Sequence, residues 1–257
     1  MNIILNILNQ FLKKGRSIVI LKKIFRRFSK NNFDKNQYKN WLDSNKSSLD
    51  KFLKKINHRL FIETKKESLK INDYANNRLK NIKVKLGGGA NDMLLYFFVR
   101  YFKPKVVLET GVAAGFSSLS ILKALKKNKY GKLYSSDFPY FRIKNPENYI
   151  GILVDKKKFP NWELKIEGDE VNIPKLISNI NHIDIFHYDS DKTYKGKINV
   201  YNLIKKKISN KSILIFDDVQ DDKFFYEICQ SSNLQYKIFK FKSKYIGVIG
   251  KIKSNEI

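Results

Sequence analysis

Sulfur and imidazole are scarce in this chain: its 257 residues include one cysteine and three histidines. Cys229 alone excludes an internal disulfide framework. His58, His182 and His187 with that single cysteine argue against a zinc site of His and Cys ligands, so any metal would rest on oxygen. Long apolar runs are missing too, and no segment reaches the roughly 20 residues needed to span a bilayer. The opening stretch, MNIILNILNQFLKKGRSIVILKKIFRRFSK, has its apolar patches broken by Lys13, Lys14, Arg16, Lys22, Lys23, Arg26 and Arg27. A secretory leader would carry its charges before the apolar stretch and a small-residue cleavage site after it. The expectation is a cytoplasmic chain, free or peripheral at the inner face of the membrane.

Acids are few: 24 Asp and Glu stand against 51 Lys and Arg, a formal charge of +27. That surplus points to a polyanionic partner such as nucleic acid, anionic lipid or a charged polysaccharide. A Lys-, Asn- and Ile-rich composition whose lysines are merely solvated explains it equally well. Hydrophobic residues make up 42%, which excludes wholesale disorder, and the length fits one α/β domain with an appendage.

Two regimes follow along the chain, a basic helical region over 1–84 and an α/β domain over 85–257. In the first, Leu49, Phe52, Leu53, Ile56 and Leu60 recur at helical spacing. Ile4, Leu8, Phe11 and Leu12 fall on one helical face, read either as a basic amphipathic helix on an anionic membrane surface or as a helix packed on the main domain. Gly87, Gly88 and Gly89 mark a hinge or a close backbone approach. Beyond them MLLYFFVRYF reads as a helix ending ahead of Pro104. The strands KVVLET, KLYSS, WELKIE, IDIFHY and SILIF then alternate with helical segments, and LQYKIFKF and YIGVIGKI close the chain as an antiparallel pair. The expected fold is α/β, a Rossmann-like, mostly parallel sheet of seven strands with a C-terminal antiparallel hairpin.

Ligands of open parallel sheets collect beyond the carboxyl ends of the strands. Each parallel strand here ends at an acid: Glu109, Asp137, Asp169, Asp189 with Asp191, and Asp217 with Asp218. In VVLETGVAAGFSSL the glycine spacing, Gly111 to Gly115, departs from the G-x-G-x-x-G of dinucleotide sites, and Glu109 would repel a phosphate. A ligand with a positive group and no phosphate fits better. S-adenosylmethionine has an α-ammonium, a carboxylate for backbone N–H groups, and a ribose diol for Asp137.

This pattern resembles the class I S-adenosylmethionine-dependent methyltransferases over roughly residues 86–253. More narrowly, GGGANDMLLYFFVRYFKPKVVLETGVAAGFSSL, LYSSDFPYF and FHYDSDKTY are similar to a bacterial subgroup related to small-molecule O-methyltransferases, several of which serve surface-polysaccharide or secondary-metabolite pathways. The resemblance implies that Glu109 and Gly111 hold the methionine end, Gly115 and Ser117 line the turn, Asp137 takes the ribose and Asp169 lies near the adenine. The insertion FPYFRIKNPENYIGILVDKKKFPN would be a lid or part of an acceptor pocket, with Tyr140 and Arg142 as contacts, or an extra surface element.

YDSDKTY and FDDV resemble the D-x-D-K and D-N motifs of catechol-type and caffeoyl-CoA-type O-methyltransferases. Carried over, Asp189, Asp217 and Asp218 would hold Mg²⁺, and Lys192 would sit near the acceptor proton. Asp218 departs from the pattern, standing where those enzymes carry Asn, and many relatives have His at Lys192. Members that use no metal and keep the first aspartate as a base or cofactor residue leave both readings open. Asp221 and Asp222 are expected to cap the helix that begins near Lys223.

The implied acceptor is a hydroxyl of a small molecule or glycan. Base methylation of nucleic acid is disfavoured, because DSDKTY lacks the proline-rich loop that grips a flipped base. RNA ribose methylation and a non-catalytic, basic, membrane-associated role are the rivals. Whether the chain forms a homo-oligomer is left open.

Overall fold

The computed structural model describes residues 2–28, 33–84, 86, 89, 91–232 and 234–252. Three helices come first, α1 (Asn2–Phe11), α2 (Arg16–Phe28) and α3 (Lys35–Asn45). A short strand β1 (Lys46–Ser47) precedes helices α4 (Leu49–Ile56), α5 (His58–Leu79) and α6 (Asp92–Phe102). The alternating part runs β2 (Val106–Thr110), α7 (Phe116–Asn128), β3 (Lys132–Ser136), β4 (Trp162–Lys165), α8 (Asp169–Ile177), β5 (Ile185–Tyr188), α9 (Tyr194–Ile204), β6 (Ile213–Phe216) and α10 (Phe224–Ser231). The hairpin β7 (Tyr236–Phe241) and β8 (Lys244–Ile249) ends it.

Local chemistry sets these boundaries. Asp34 accepts from the N–H groups of Asn36 and Gln37 at the start of α3, and Asn57 and Asn91 cap α5 and α6 through Leu60 and Leu94. Helix α6 stops at Lys103, in a left-handed conformation directly before Pro104, which disfavours helical backbone in its predecessor. Asp222 accepts from the N–H of Phe224 at 2.9 Å, while the N-cap of α10 is Lys223, which makes no side-chain cap.

The sheet order is β1-β7-β8-β6-β5-β2-β3-β4, parallel from β6 through β4 and antiparallel where β8 meets β6 and β7. Seven strands match the alternation read above. The eighth is a correction: Lys46–Ser47 pairs in parallel with β7 and is too short to show a period of two. Every residue of β2, β5 and β6 is buried, as continuous apolar runs between two helical layers require. One layer joins Leu53, Phe61 and Ile71 from the N-terminal helices to Leu95, Phe97 and Ile121, so residues 49–75 share the core of the α/β part. The other is built around Phe186, Phe216 and Phe225. Gly87 and Gly88 lie outside the described residues. A Cβ on Gly89 would meet the Phe116 ring at 3.4 Å, an ordinary van der Waals contact and not a close approach of backbone.

The connections after β2 and β5 leave in opposite directions, so a crevice opens between those neighbours at their carboxyl ends. One loop beside it is pinned from within. Lys197 of α9, 1% exposed, pairs with the equally buried Asp222 at 2.9 Å and donates to the Asp218 carbonyl at 3.0 Å. Removing one member of such a pair strands the other charge in the core. Lys197→Met is expected to cost about 3–5 kcal/mol in urea unfolding. Lys197→Met/Asp222→Leu should recover most of that loss, whereas equal losses in both variants would mean the pair is not the cause.

Candidate active site

The turn after β2 is shaped by contact with the rest of the chain. Gly111 has φ +84°, and a Cβ there would lie 2.1 Å from the carbonyl oxygen of Asp189. Only glycine lets the ends of β2 and β5 approach so closely. At Gly115, φ +97°, a Cβ would lie 3.0 Å from the Cα of Gly151, because the insertion crosses the turn. The Gly151 and Leu153 N–H groups donate to the Ala113 and Ala114 carbonyls at 2.8 and 3.0 Å. The insertion thus clamps the glycine turn.

Asp137, after β3, is held by that same turn. Its Oδ2 accepts from the N–H groups of Val112 and Ala113 at 3.1 and 2.7 Å, and its Oδ1 from that of Phe138 at 2.6 Å. Burial pushes its carboxyl up to about 6 against these donors. Of the roughly four acceptor positions of a carboxylate, three are filled and one remains. Asp169, opening α8, accepts from the Ser136 hydroxyl at 2.6 Å and is likewise raised by burial.

Glu109 takes a different place from the one the resemblance implies. It is fully buried and absent from the cavity wall, accepting at Oε2 from the Ser118 and Ser135 hydroxyls at 2.6 and 2.8 Å. Its Oε1 lies 3.7 Å from Nδ1 of His187, whose Nε2 lies 3.5 Å from Asp217. Burial alone would depress that imidazole, but the Asp217 and Glu109 carboxylates override it and push it up to about 10. The two flanking carboxylates thus favour the charged form of this buried ring, although neither of its nitrogens makes a hydrogen bond among the described residues. Ser117 is also buried, in the first turn of α7, and neither it nor Gly115 borders the cavity.

Gly111, Asp137, Asp169 and Asp189 line one cavity of about 520 Å³ at the crevice. Asp189 borders it without a hydrogen bond or ion pair to any described side chain, and burial with the nearby Asp217 charge raises its carboxyl to about 7. Lys192 also borders it, with its ammonium on Asp218. Lys244, which opens β8, reaches the same carboxylate at 3.1 Å. Antiparallel pairing with β6 brings the start of β8 to the carboxyl edge, so the hairpin register was the sequence signal for Lys244.

These contacts test the expected magnesium site. Asp218 is engaged by two ammoniums and Asp217 faces His187. Among the described residues no group of three His, Cys, Asp or Glu is arranged to hold a metal ion. The residues do not fit a divalent cation as carried over from the resemblance. Asp218 has φ +52° and ψ +42°, a conformation tolerated by Asn and Asp, so Asp can replace Asn there without moving the backbone.

The remaining wall comes from α2 and the insertion. Val19, Lys22, Lys23 and Arg26 border the cavity, and Arg26 pairs with Asp191 at 2.8 Å and Glu170 at 2.6 Å. Tyr140 borders it and donates to the Leu86 carbonyl at 3.3 Å. Arg142 does not; its guanidinium lies over the Phe141 ring.

The His187 cluster generates a prediction for stability. A group raised above its ordinary value of 6.5 contributes fully below that pH, and the contribution is lost as pH rises through about 10. Urea midpoints of the wild type should therefore fall between pH 7 and 10 more steeply than those of His187→Gln. Parallel curves would show that His187 is neutral in the fold.

A family model described as a methyltransferase domain matches residues 108–219. No curated protein matches the chain in sequence. Among solved structures, the chain is similar to a methyltransferase from Geobacter sulfurreducens, with 14% identity over 70% of this chain and 90% of that one and a TM-score of 0.54. It is similar to the O-methyltransferase TomG from Streptomyces achromogenes, solved with S-adenosylmethionine, with 13% identity, coverage of 70% and 88%, and a TM-score of 0.54. It is also similar to an O-methyltransferase from Bacillus cereus, solved with S-adenosylhomocysteine, with 15% identity, coverage of 82% and 100%, and a TM-score of 0.52. Residues 108–219 thus match the model of a methyltransferase domain, and the sheet that carries them shares its fold with these methyltransferase structures.

Proposed function

We propose that this methyltransferase moves a methyl group from S-adenosylmethionine to a hydroxyl oxygen of a small molecule or glycan. The observation that carries the reading is the convergence of Gly111, Asp137, Asp169 and Asp189 on one cavity of about 520 Å³, within the range of small-ligand sites. Asp137 would take the ribose through its remaining acceptor position, and Asp169 would stand toward the adenine. Gly111 borders the cavity, so the turn would face the methionine end. The cofactor supplies an electrophilic methyl group on sulfur.

The chain's own task is to free an acceptor oxygen of its proton and hold it in line. Asp189 supports the role of general base, since its carboxyl is held near 7, where it can accept a proton at neutral pH. Lys192 and Lys244 border the same space, so negative charge developing on the oxygen would arise beside two cations. Magnesium has no part in this proposal, because Asp218 already serves the two lysines. Transfer of the glycan or small-molecule acceptor class from the resemblance rests on the O-methyltransferase pattern around Asp189.

Calorimetric titration with S-adenosylhomocysteine tests the cofactor half. The wild type should bind, and Asp137→Ala should weaken binding by about 10- to 100-fold, the value of one charge-assisted hydrogen bond. A wild type that does not bind would sink the assignment. Radiolabelled methyl transfer to a panel of phenols and sugars tests the chemistry. Asp189→Asn should lower kcat by about 10²- to 10⁴-fold and leave S-adenosylhomocysteine affinity nearly unchanged. The wild-type rate should fall as pH drops through about 7, as the Asp189 carboxylate takes up its proton, and EDTA should have no effect. A rate abolished by EDTA and restored by Mg²⁺ would overturn the metal-free reading.

A further inference from the structure

Helices α1 and α2 are apolar on two faces, and protein covers only one. The inner face packs Ile7, Phe11, Val19, Ile20 and Ile24 against Phe138 and Phe141 of the insertion. Ion pairs fasten it: Lys13 and Arg16 reach Glu147, and Lys22 and Arg26 reach Glu170. The outer face carries a second stripe at helical spacing. Ile4, Leu8 and Leu12 are 68%, 51% and 82% exposed on α1, and Ile18, Leu21 and Phe25 are 62%, 42% and 70% exposed on α2. A helix that is apolar all round requires a partner on every side.

We infer that this outer face is a docking surface for an anionic lipid bilayer, with α1 and α2 lying in the plane of the interface. Charge selects the occupant. Residues 1–28 contain seven Lys and Arg and no Asp or Glu. Four of the seven are paired inward with Glu147, Glu170 and Asp191, yet each segment keeps a positive surplus over those three acids. Two copies meeting through this face would therefore repel, whereas anionic headgroups attract the surplus and the acyl boundary accepts the apolar stripe. No helix among the described residues is long and apolar enough to cross a membrane, so the contact is peripheral. Helix α2 is at once this surface and a wall of the cofactor cavity, through Val19, Lys23 and Arg26. The cavity therefore stands one helix away from the bilayer, and an acceptor carried on a membrane lipid can be met without leaving it. That consequence rests on the methyltransferase reading; the docking does not.

The test is co-sedimentation of the full chain with vesicles of phosphatidylcholine alone and with 30% phosphatidylglycerol. The wild type should bind the anionic vesicles and keep a measurable part of that binding at 0.5 M NaCl, where charge attraction alone is screened. Leu12→Glu/Phe25→Glu, whose side chains face away from the cavity, should lose at least about tenfold in vesicle affinity. Its thermal midpoint and S-adenosylhomocysteine titration in the absence of lipid should match the wild type. Equal vesicle binding by wild type and variant would overturn the proposal, leaving only a basic surface. So would a concentration-dependent dimer that the variant abolishes, since a second copy would then be the occupant. Vesicle binding without S-adenosylhomocysteine binding would sink the cofactor reading and leave the docking surface standing.

Discussion

The site is organised around one buried imidazole set between carboxylates that favour its charged form. Strands β2, β5 and β6 lie side by side and end in Glu109, Asp189 and Asp217, so their carboxylates gather at one edge of the sheet. His187, paired in register with Glu109, stands between Glu109 and Asp217 with no exposure to water. Desolvated carboxylates at this spacing repel one another, and the attraction of each to an imidazolium is on the order of a few kcal/mol at an effective dielectric constant of about 20. The histidine lets three acidic strand ends share one edge. The Ser118 and Ser135 hydroxyls complete the work at Glu109 and tie α7 and β3 to it. The acid before the glycine turn is thus a foundation for the turn rather than part of its ligand surface.

The same pairing recurs outward from that centre. Lys192 and Lys244 meet Asp218 at the end of β6, and Lys197 meets Asp222 inside the loop that follows. Over the opposite half, Arg26 of α2 meets Asp191 after β5 and Glu170 of α8. A chain with 24 acids and 51 basic residues has gathered acids at the carboxyl edge of its sheet and set cations from distant elements against them. Part of the basic surplus thus belongs to the architecture of the site, a use that requires no nucleic acid.

This division explains what could be read from the sequence. Strand runs bounded by acids and glycines are local patterns, so β2 through β8 and the positions of Asp137, Asp169 and Asp189 follow from reading along the chain. The orientation of Glu109 is not local: it depends on His187, which the sequence separates from it by most of the intervening domain. The wall formed by α2 is further still from sequence reading, since Arg26 and Asp191 are 165 residues apart and nothing in either neighbourhood encodes the other. The two readings of the N-terminal helix, packed on the domain or facing a membrane, describe opposite faces of the same segment. A single hydrophobic stripe invites a choice between them, while Ile20 at 0% exposure beside Leu21 at 42% shows apolar residues pointing both ways.

Asp218 links the electrostatics to the chemistry. Its left-handed backbone can be occupied by Asn or Asp, so exchanging one for the other changes charge at almost no conformational cost. An added negative charge in a carboxylate cluster must be answered, by a divalent ion or by ammonium groups. Here Lys192 arrives from the loop after β5 and Lys244 from the β8 hairpin, so the answer comes from two sides of the cavity. Two ammoniums on flexible stems supply positive charge without fixed coordination, and they do not lower the pKa of an acceptor as a coordinated metal does. In the metal-free reaction proposed above, the proton would go to a group poised near neutrality. Burial first, and then the repulsion of the neighbouring carboxylates, hold Asp189 there.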